Sequence, residues 1–262
     1  MGKKEIYLAG SFYDFRDRII QQLPEFNFAD PRNHRQFSIS SLVEDDMKDA
    51  IASPVLVACF PEKKSRGTMT YAEVGASRVN GNYIIIADEN SLKDNLLERI
   101  ADKNLNGIDD AINFLRENNN LLKSEFKKIK SQSELNHAET VFVSGDDKYF
   151  NEIEKTDKKI ICYENLKDLS DFENVDVTFV HFPEKGDWDR KAIFFMGVSY
   201  ALKIPIIMLD QKEIPYPPLS GLVRRIFRTK DSVLDYFKEL KSQKISDEAL
   251  IMYNLFKKYD GI

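Results

Sequence analysis

Cysteine, histidine, tryptophan and net positive charge are all scarce in this chain, and each scarcity narrows the range of functions. The two cysteines, Cys59 and Cys162, lie in or beside apolar strand-like runs with neither metal-ligand nor redox spacing, which predicts buried free thiols. The three histidines, His34, His137 and His181, are scattered at spacings that hold no metal, and no motif asks for a cofactor. Lys and Arg number 38 against 43 Asp and Glu, a net charge of -5, so no basic field draws in nucleic acid or an anionic membrane. No apolar run approaches the roughly 20 residues that span a bilayer. The opening Met1-Gly2-Lys3-Lys4 leads straight into a strand pattern, and the expectation is a soluble, cytoplasmic protein.

What the chain does contain is a repeat. Phe60-Pro61-Glu62-Lys63 returns 122 residues later as Phe182-Pro183-Glu184-Lys185. The same displacement aligns, without a gap, Asp46 with Asp168, Asp49 with Asp171, Gly75 with Gly197, Ser77 with Ser199, Ile84-Ile85 with Ile206-Ile207 and Asp88 with Asp210. The opening strands Tyr7-Leu8-Ala9-Gly10 and Phe142-Val143-Ser144-Gly145 also correspond, although the second copy is shorter between that strand and the aspartate. Two copies are too few for a solenoid, and 262 residues accommodate two domains of roughly 100–150 residues each.

Within each copy strands alternate with helices, which implies right-handed βαβ crossovers and a parallel sheet. The predicted fold is therefore α/β: two tandem flavodoxin- or Rossmann-like three-layer domains. In the first copy the pattern predicts strands over 6–8, 27–29, 55–60 and 83–87, a helix over 16–22 and one over 42–52 that Pro54 ends. A further helix is led by Glu73, and residues 90–134 read as charged helix broken at Asn118-Asn119-Asn120. These signals divide the chain into a first domain over 1–120, a degenerate repeat over 138–240 and a helical tail over 241–262 with Leu250, Tyr253 and Phe256 in helical register.

Glu73 lies in the run Gly67-Thr68-Met69-Thr70-Tyr71-Ala72-Glu73-Val74-Gly75-Ala76-Ser77, between two apolar strands. A carboxylate opening that helix would sit at the carboxyl edge of the sheet, where open α/β folds hold ligands. It either does chemistry or complements the helix dipole. Asp46, in Glu44-Asp45-Asp46 at a helix start, has the same two readings: an acid or base, or a helix cap. Gly10-Ser11 is either a plain turn or one whose backbone N–H groups meet a phosphate or sugar hydroxyl. Arg16, Arg32 and Arg66 either grip phosphate with their guanidinium forks or lie on solvated surface. Arg32, in Asp30-Pro31-Arg32-Asn33, is the best placed because a proline-fixed loop aims it.

Taken in order, Tyr7-Leu8-Ala9-Gly10-Ser11-Phe12, Asp30-Pro31-Arg32-Asn33, Glu44-Asp45-Asp46 and Gly67-Thr68 before Ala72-Glu73-Val74-Gly75-Ala76 resemble the nucleoside 2-deoxyribosyltransferase superfamily, which includes related deoxynucleotide N-hydrolases. The resemblance covers residues 5–115, with the second copy a worn echo. It implies that Glu73 is the nucleophile, that Tyr7 orients it and that Asp46 acts on the base or sugar. It implies further that Gly10, Ser11, Phe12, Arg16, Arg32, Gly67 and Thr68 bind a nucleoside or nucleotide. Met69 departs from the pattern, since many members carry glycine four residues before the glutamate. The chemistry asks for the same residue types. Cleavage of an N-glycosidic bond passes through an oxocarbenium-like state that a carboxylate traps as a sugar ester, while a second acidic group serves the departing base. Members often complete the site with a neighbouring subunit, which implies a homo-oligomer or a fused copy in the neighbour's place.

The second copy lacks the nucleophile: Glu73 becomes Phe195, Tyr7 becomes Phe142 and Gly67-Thr68 becomes Asp189-Arg190, leaving Asp168 alone. Aromatic rings in those places predict a packing surface. Three functional readings stand at this level: an enzyme that cleaves or transfers an N-glycosidic bond, a nucleotide-binding sensor or effector without turnover, and a scaffold. The comparison of copies predicts one covalent sugar adduct per chain, on Glu73; intact-protein mass spectrometry of a trapped reaction counts it, and two adducts would show a working second copy.

Overall fold

The computed structural model describes residues 5–11, 15–34, 38–118, 139–145, 153, 155, 158–163, 166 and 168–239. Phe12, His137, the stretch 119–138 and the tail 241–262 lie outside the described residues. The chain divides into two compact units, with the main division after residue 128.

In the first unit five parallel strands are ordered β2-β1-β3-β4-β5. They are β1 (Glu5–Gly10), β2 (Asn27–Ala29), β3 (Val55–Phe60), β4 (Tyr83–Asp88) and β5 (Lys103–Leu105). The helices between and after them are α1 (Phe15–Gln22), α2 (Ile39–Ala52), α3 (Thr68–Val79), α4 (Asn95–Ile100) and α5 (Ile108–Glu117). β3 and β4 are near-continuous apolar runs because both their faces are covered, as parallel strands require. The pleat sends Ile6, Leu8, Val57, Cys59 and Ile85 to one face, against Phe15 and Ile19 of α1 and Ile112 and Leu115 of α5. Tyr7 projects oppositely, toward α3, which packs across β1, β3 and β4. The end of α3 also fastens α2: Ser77 Oγ donates to the Ala50 carbonyl at 2.6 Å, and Asn80 and Asn82 donate to the Ile51 carbonyl at 2.7 and 3.0 Å. These bonds satisfy carbonyls that the last turn of α2 leaves unpaired.

The second unit repeats this topology in the order β10-β9-β8-β6-β7. Its strands are β6 (Thr140–Gly145), β7 (Lys159–Cys162), β8 (Val177–Phe182), β9 (Ile206–Asp210) and β10 (Arg225–Phe227), with α6 (Arg190–Ala201), α7 (Pro217–Ser220) and α8 (Lys230–Glu239). The 122-residue displacement carries β3 onto β8, α3 onto α6, β5 onto β10 and α5 onto α8 with identical bounds. The opening strands match in register too, since Ile6 pairs with Val55 as Val141 pairs with Val177. The duplication read from the sequence is thus a duplication of fold: two α/β units of Rossmann-like, three-layer type with the flavodoxin strand order. Among the described residues no helix is long and apolar enough to cross a membrane.

Four local expectations are corrected. The helix over 42–52 begins earlier, at Ile39, so Asp46 lies in its middle. The helix carrying Glu73 begins at Thr68 after Gly67, so Glu73 sits in its second turn and does not open it. Residues 103–105 form a strand within the stretch read as helix; a three-residue edge strand, Lys103-Asn104-Leu105, carries too little alternation to announce itself. Cys59 is buried as expected, whereas Cys162 on edge strand β7 is only partly so. In the second unit, moreover, a 3₁₀ turn (Leu169–Asn174) stands where the displacement would place the end of α2, with Asp168 as its cap.

Both first strands end on a glycine that the backbone demands: Gly10 has φ +132° and Gly145 φ +101°. A Cβ on Gly10 would lie 2.6 Å from the Cys59 carbonyl oxygen. Gly10→Ala is expected to destabilise the first unit by about 1–3 kcal/mol, read as a lower urea midpoint for that unit's transition; an unchanged midpoint would refute the strain argument.

Candidate active site

The pleat of β1 and the second turn of α3 bring the sequence's first two candidates into contact. Tyr7, with no exposed surface, donates its phenolic proton to Glu73 Oε1 at 3.1 Å. Glu73 is 5% exposed, and its Oε2 has no hydrogen-bond partner among the described residues. The carboxylate expected at the opening of the helix lies deeper than that: a helix packed against three strands buries its inner face, and Glu73 is on that face.

Burial decides the acid–base behaviour of this group. Desolvation first, and the charge of Asp46 second, push Glu73 up to about 8, against the pull of the Arg16 guanidinium and the Tyr7 hydroxyl. Asp46 is pushed up to about 6, again by burial first, while a hydrogen bond and charge from His34 and the charge of Arg16 oppose the rise. Burial, together with Glu73 and Asp46, holds the Tyr7 phenol well above its usual range, so it stays a donor. Glu73 and Asp46 thus form an electrostatically interacting carboxyl pair that holds one proton between about pH 6 and 8, on Glu73 by preference.

His34 is the residue sequence reasoning missed. Its Nδ1 lies 2.7 Å from Asp46 Oδ1 and its Nε2 2.7 Å from Asp49 Oδ2. The available signal was its place directly after Asp30-Pro31-Arg32-Asn33, facing two aspartates three residues apart on one helix. Burial pulls the imidazole down, but the bonds to Asp49 and Asp46 outweigh it and leave His34 raised.

Each of the three arginines bonds to groups of the protein itself. Arg16, 1% exposed, donates from Nε to the Leu8 carbonyl at 3.2 Å, from Nη1 to Ser11 O at 2.8 Å and from Nη2 to Gly10 O at 2.7 Å. It organises the turn after β1 from beneath, bonded to these carbonyls and with its Nε 3.5 Å from the buried Asp30 carboxylate. Arg32 is turned back onto its own loop: Nη2 donates to Asp30 at 2.6 Å and to Asp17 at 2.7 Å. Arg66 donates to Asp88 at 2.7 Å and to the Leu92 carbonyl at 2.6 Å. Gly10 and Ser11 accordingly present carbonyls to Arg16. Ser11 and Gly67 do come together: Ser11 Oγ donates to the Ser65 carbonyl at 3.0 Å, and a Cβ on Gly67 would lie 3.3 Å from Ser11 Oγ and 2.9 Å from Thr70 Oγ1. Thr68 is the first residue of α3.

A separate cavity of about 70 Å³ lies at the ends of β4 and β5, lined by Asp88, Lys93, Asp94, Glu98, Asn104 and Asn106 among others, and does not include Glu73. No group of three or more His, Cys, Asp or Glu side chains among the described residues could hold a metal ion. In the second unit Phe142, Phe172 and Phe195 occupy the corresponding ground, with ring centroids 4.6, 4.9 and 5.6 Å apart, so an aromatic cluster stands where the first unit keeps its phenol and carboxylate.

No protein-family model matches this chain, and no protein of curated function matches it in sequence. Solved structures similar to it include the catalytic subunit of cobaltochelatase from Mycobacterium tuberculosis, 13% identical with a TM-score of 0.27 over 80% of this chain and 21% of that one. A protein described as sugar-binding from Salmonella typhimurium LT2 is 9% identical, with a TM-score of 0.28 over 90% of this chain and 86% of that one. The chain thus spans about a fifth of the cobaltochelatase subunit's length, and likeness at this level says nothing of the site.

The raised Glu73 has a measurable consequence for stability. An unfolded glutamate titrates near 4.5, so between that pH and about 8 the folded chain holds a proton that the unfolded chain has released. This group's contribution to stability is therefore greatest below pH 4.5 and is lost as pH rises toward 8. Glu73→Gln, which keeps the shape and the acceptor for Tyr7, is expected to gain stability relative to wild type as pH rises from 5 to 8. Parallel stability–pH curves for the two proteins would sink the assignment.

Proposed function

We propose that the first unit is an enzyme that cleaves or transfers the N-glycosidic bond of a nucleoside or nucleotide, with Glu73 as nucleophile, Asp46 as acid or base and Tyr7 as the group that orients Glu73. The observation that carries this reading is the buried Tyr7–Glu73 hydrogen bond, which fixes one carboxylate oxygen and leaves the other without a partner beside a second carboxyl. A retaining displacement needs such a pair. The reactive form is the one in which the pair's proton has left Glu73, which holds it at rest, and sits on Asp46; Glu73 Oε2 then attacks the anomeric carbon as the bond to the base nitrogen breaks, and the Asp46 proton goes to the departing base. A second base or water then attacks the anomeric carbon, its N–H or O–H proton returns to Asp46, and the sugar–Glu73 ester bond breaks. Burial favours this division of labour, because a dry carboxyl pair cannot hold two charges and so keeps one proton ready for the leaving group. The second unit, with Phe142 and Phe195 in the equivalent places, carries no nucleophile of its own.

Incubation with nucleosides, deoxynucleotides and NAD, followed by detection of free base, tests this reading. Glu73→Gln is expected to reduce release by several orders of magnitude, and an added acceptor base to give a product of unchanged anomeric configuration. Binding without release would favour a sensor instead. A second expectation concerns pH: release should follow a bell with limbs near 6 and 8, where the pair gains its second and loses its last proton. A rate flat from pH 5 to 9 would exclude the shared-proton scheme.

A further inference from the structure

His34 makes two short contacts that the scheme above does not use. It follows a 3₁₀ turn (Pro31–Asn33) whose cap, Asp30, accepts from the Arg32 N–H at 3.1 Å, and the His34 N–H donates to the Pro31 carbonyl at 3.2 Å, so the backbone holds the ring in place. The ring spans Asp46 and Asp49, three residues apart on α2, at 2.7 Å on each side. Exposure rises along this line: the side chain of Asp46 is 10% exposed, His34 11% and Asp49 36%. One imidazole thus connects a dry carboxyl to a wet one.

We propose that His34 is a positioning and proton-relay residue that orients Asp46 and connects it to solvent through Asp49. The proposal rests on the acid role given to Asp46. Between turnovers, whenever Asp46 stands without its proton, Asp49 takes one from water. The Asp49 O–H bond then breaks as the His34 Nε2–H bond forms, and the Nδ1–H bond breaks as the Asp46 O–H bond forms. Net charge is unchanged along the chain, the ring ends in its other neutral tautomer, and the same two transfers run backwards restore the first tautomer when Asp46 gives a proton up to solvent. Both nitrogens must be hydrogen-bonded to carboxyl oxygens for this exchange, and both are. The charged groups bearing on the relay are Asp46 and Asp49 of α2, which bond the ring, with Asp45 of α2, Arg16 of α1 and Glu73 of α3 acting through Asp46.

The test uses the full chain with Asp49→Asn and His34→Gln, read by kinetics and by NMR. Asp49→Asn is expected to lower kcat about tenfold with little change in KM, below the roughly 10²–10⁴-fold contributed by an acid itself, with the larger loss at alkaline pH. His34→Gln, which keeps a hydrogen bond to Asp46 but passes no proton, should lose more. By NMR the His34 ring nitrogens and the Asp46 carboxyl carbon should titrate as one step in wild type and separate in Asp49→Asn. A His34 that titrates without moving Asp46, or an Asp49→Asn chain with unaltered kcat, overturns the relay. If no substrate in the panel is cleaved, that result counts against the nucleosidase reading and the NMR still decides the relay: coupled titration upholds it, and uncoupled titration removes it.

Discussion

The Tyr7–Glu73 hydrogen bond lies at the centre of the first unit, and much of the surrounding structure follows from holding that carboxyl out of water. A carboxylate in a dry interior is costly unless something answers its charge. The phenol of Tyr7 answers it in part with one bond at 3.1 Å and Arg16 in part through space, and the cost that remains is met by a proton that Glu73 keeps up to about pH 8. Arg16 is itself held by the carbonyls of Leu8, Gly10 and Ser11, so the turn after β1 is built around the cation that steadies Glu73. The left-handed conformation at Gly10 belongs to the same arrangement, because it lets that turn pass close to the Cys59 carbonyl.

The second unit shows the same fold without this constraint. Phe142, Phe172 and Phe195 meet ring to ring where the first unit has a phenol, α2 and a carboxyl, and such a cluster needs no counter-charge. Buried charged groups replaced by well-packed apolar ones are often neutral or stabilising for a fold. Folding alone therefore gives no reason to keep the carboxyl pair. Other repeated residues are structural in both units. Asp88 and Asp210 end the fourth strand of each sheet, and each accepts a backbone N–H two residues on, from Asn90 and Lys212. Their arginines come from different loops, Arg66 before α3 and Arg228 after β10.

The duplication, the apolar strands and the parallel α/β class were legible in the residues themselves. Val55–Phe60 is predicted and observed with the same bounds because a strand covered on both faces is apolar throughout. The pairing of Tyr7 with Glu73 was reached only through the resemblance, since nothing local in either segment announces a contact across 66 positions. Arg32 was read as aimed by its proline-fixed loop. It is aimed, but at Asp30 and Asp17, because the loop that orients a guanidinium also supplies the nearest carboxylate.

What the sequence by itself determined was the kind of chain: two copies of one α/β unit, no basic field, and a first copy keeping a phenol and carboxyls that the second has exchanged for rings. What only the tertiary structure decided was depth and partnership. Each residue advances a helix by about 100°, so a helix that begins at Thr68 rather than near Glu73 turns that carboxyl from an edge to an inner face. His34 acquires its meaning only once a turn after β2 is packed against α2, which sets one ring between two carboxyls 12 and 15 positions away. Periodicity tells which residues are buried along one element, whereas the partner of a buried polar group is supplied by another element, and that choice is made by packing.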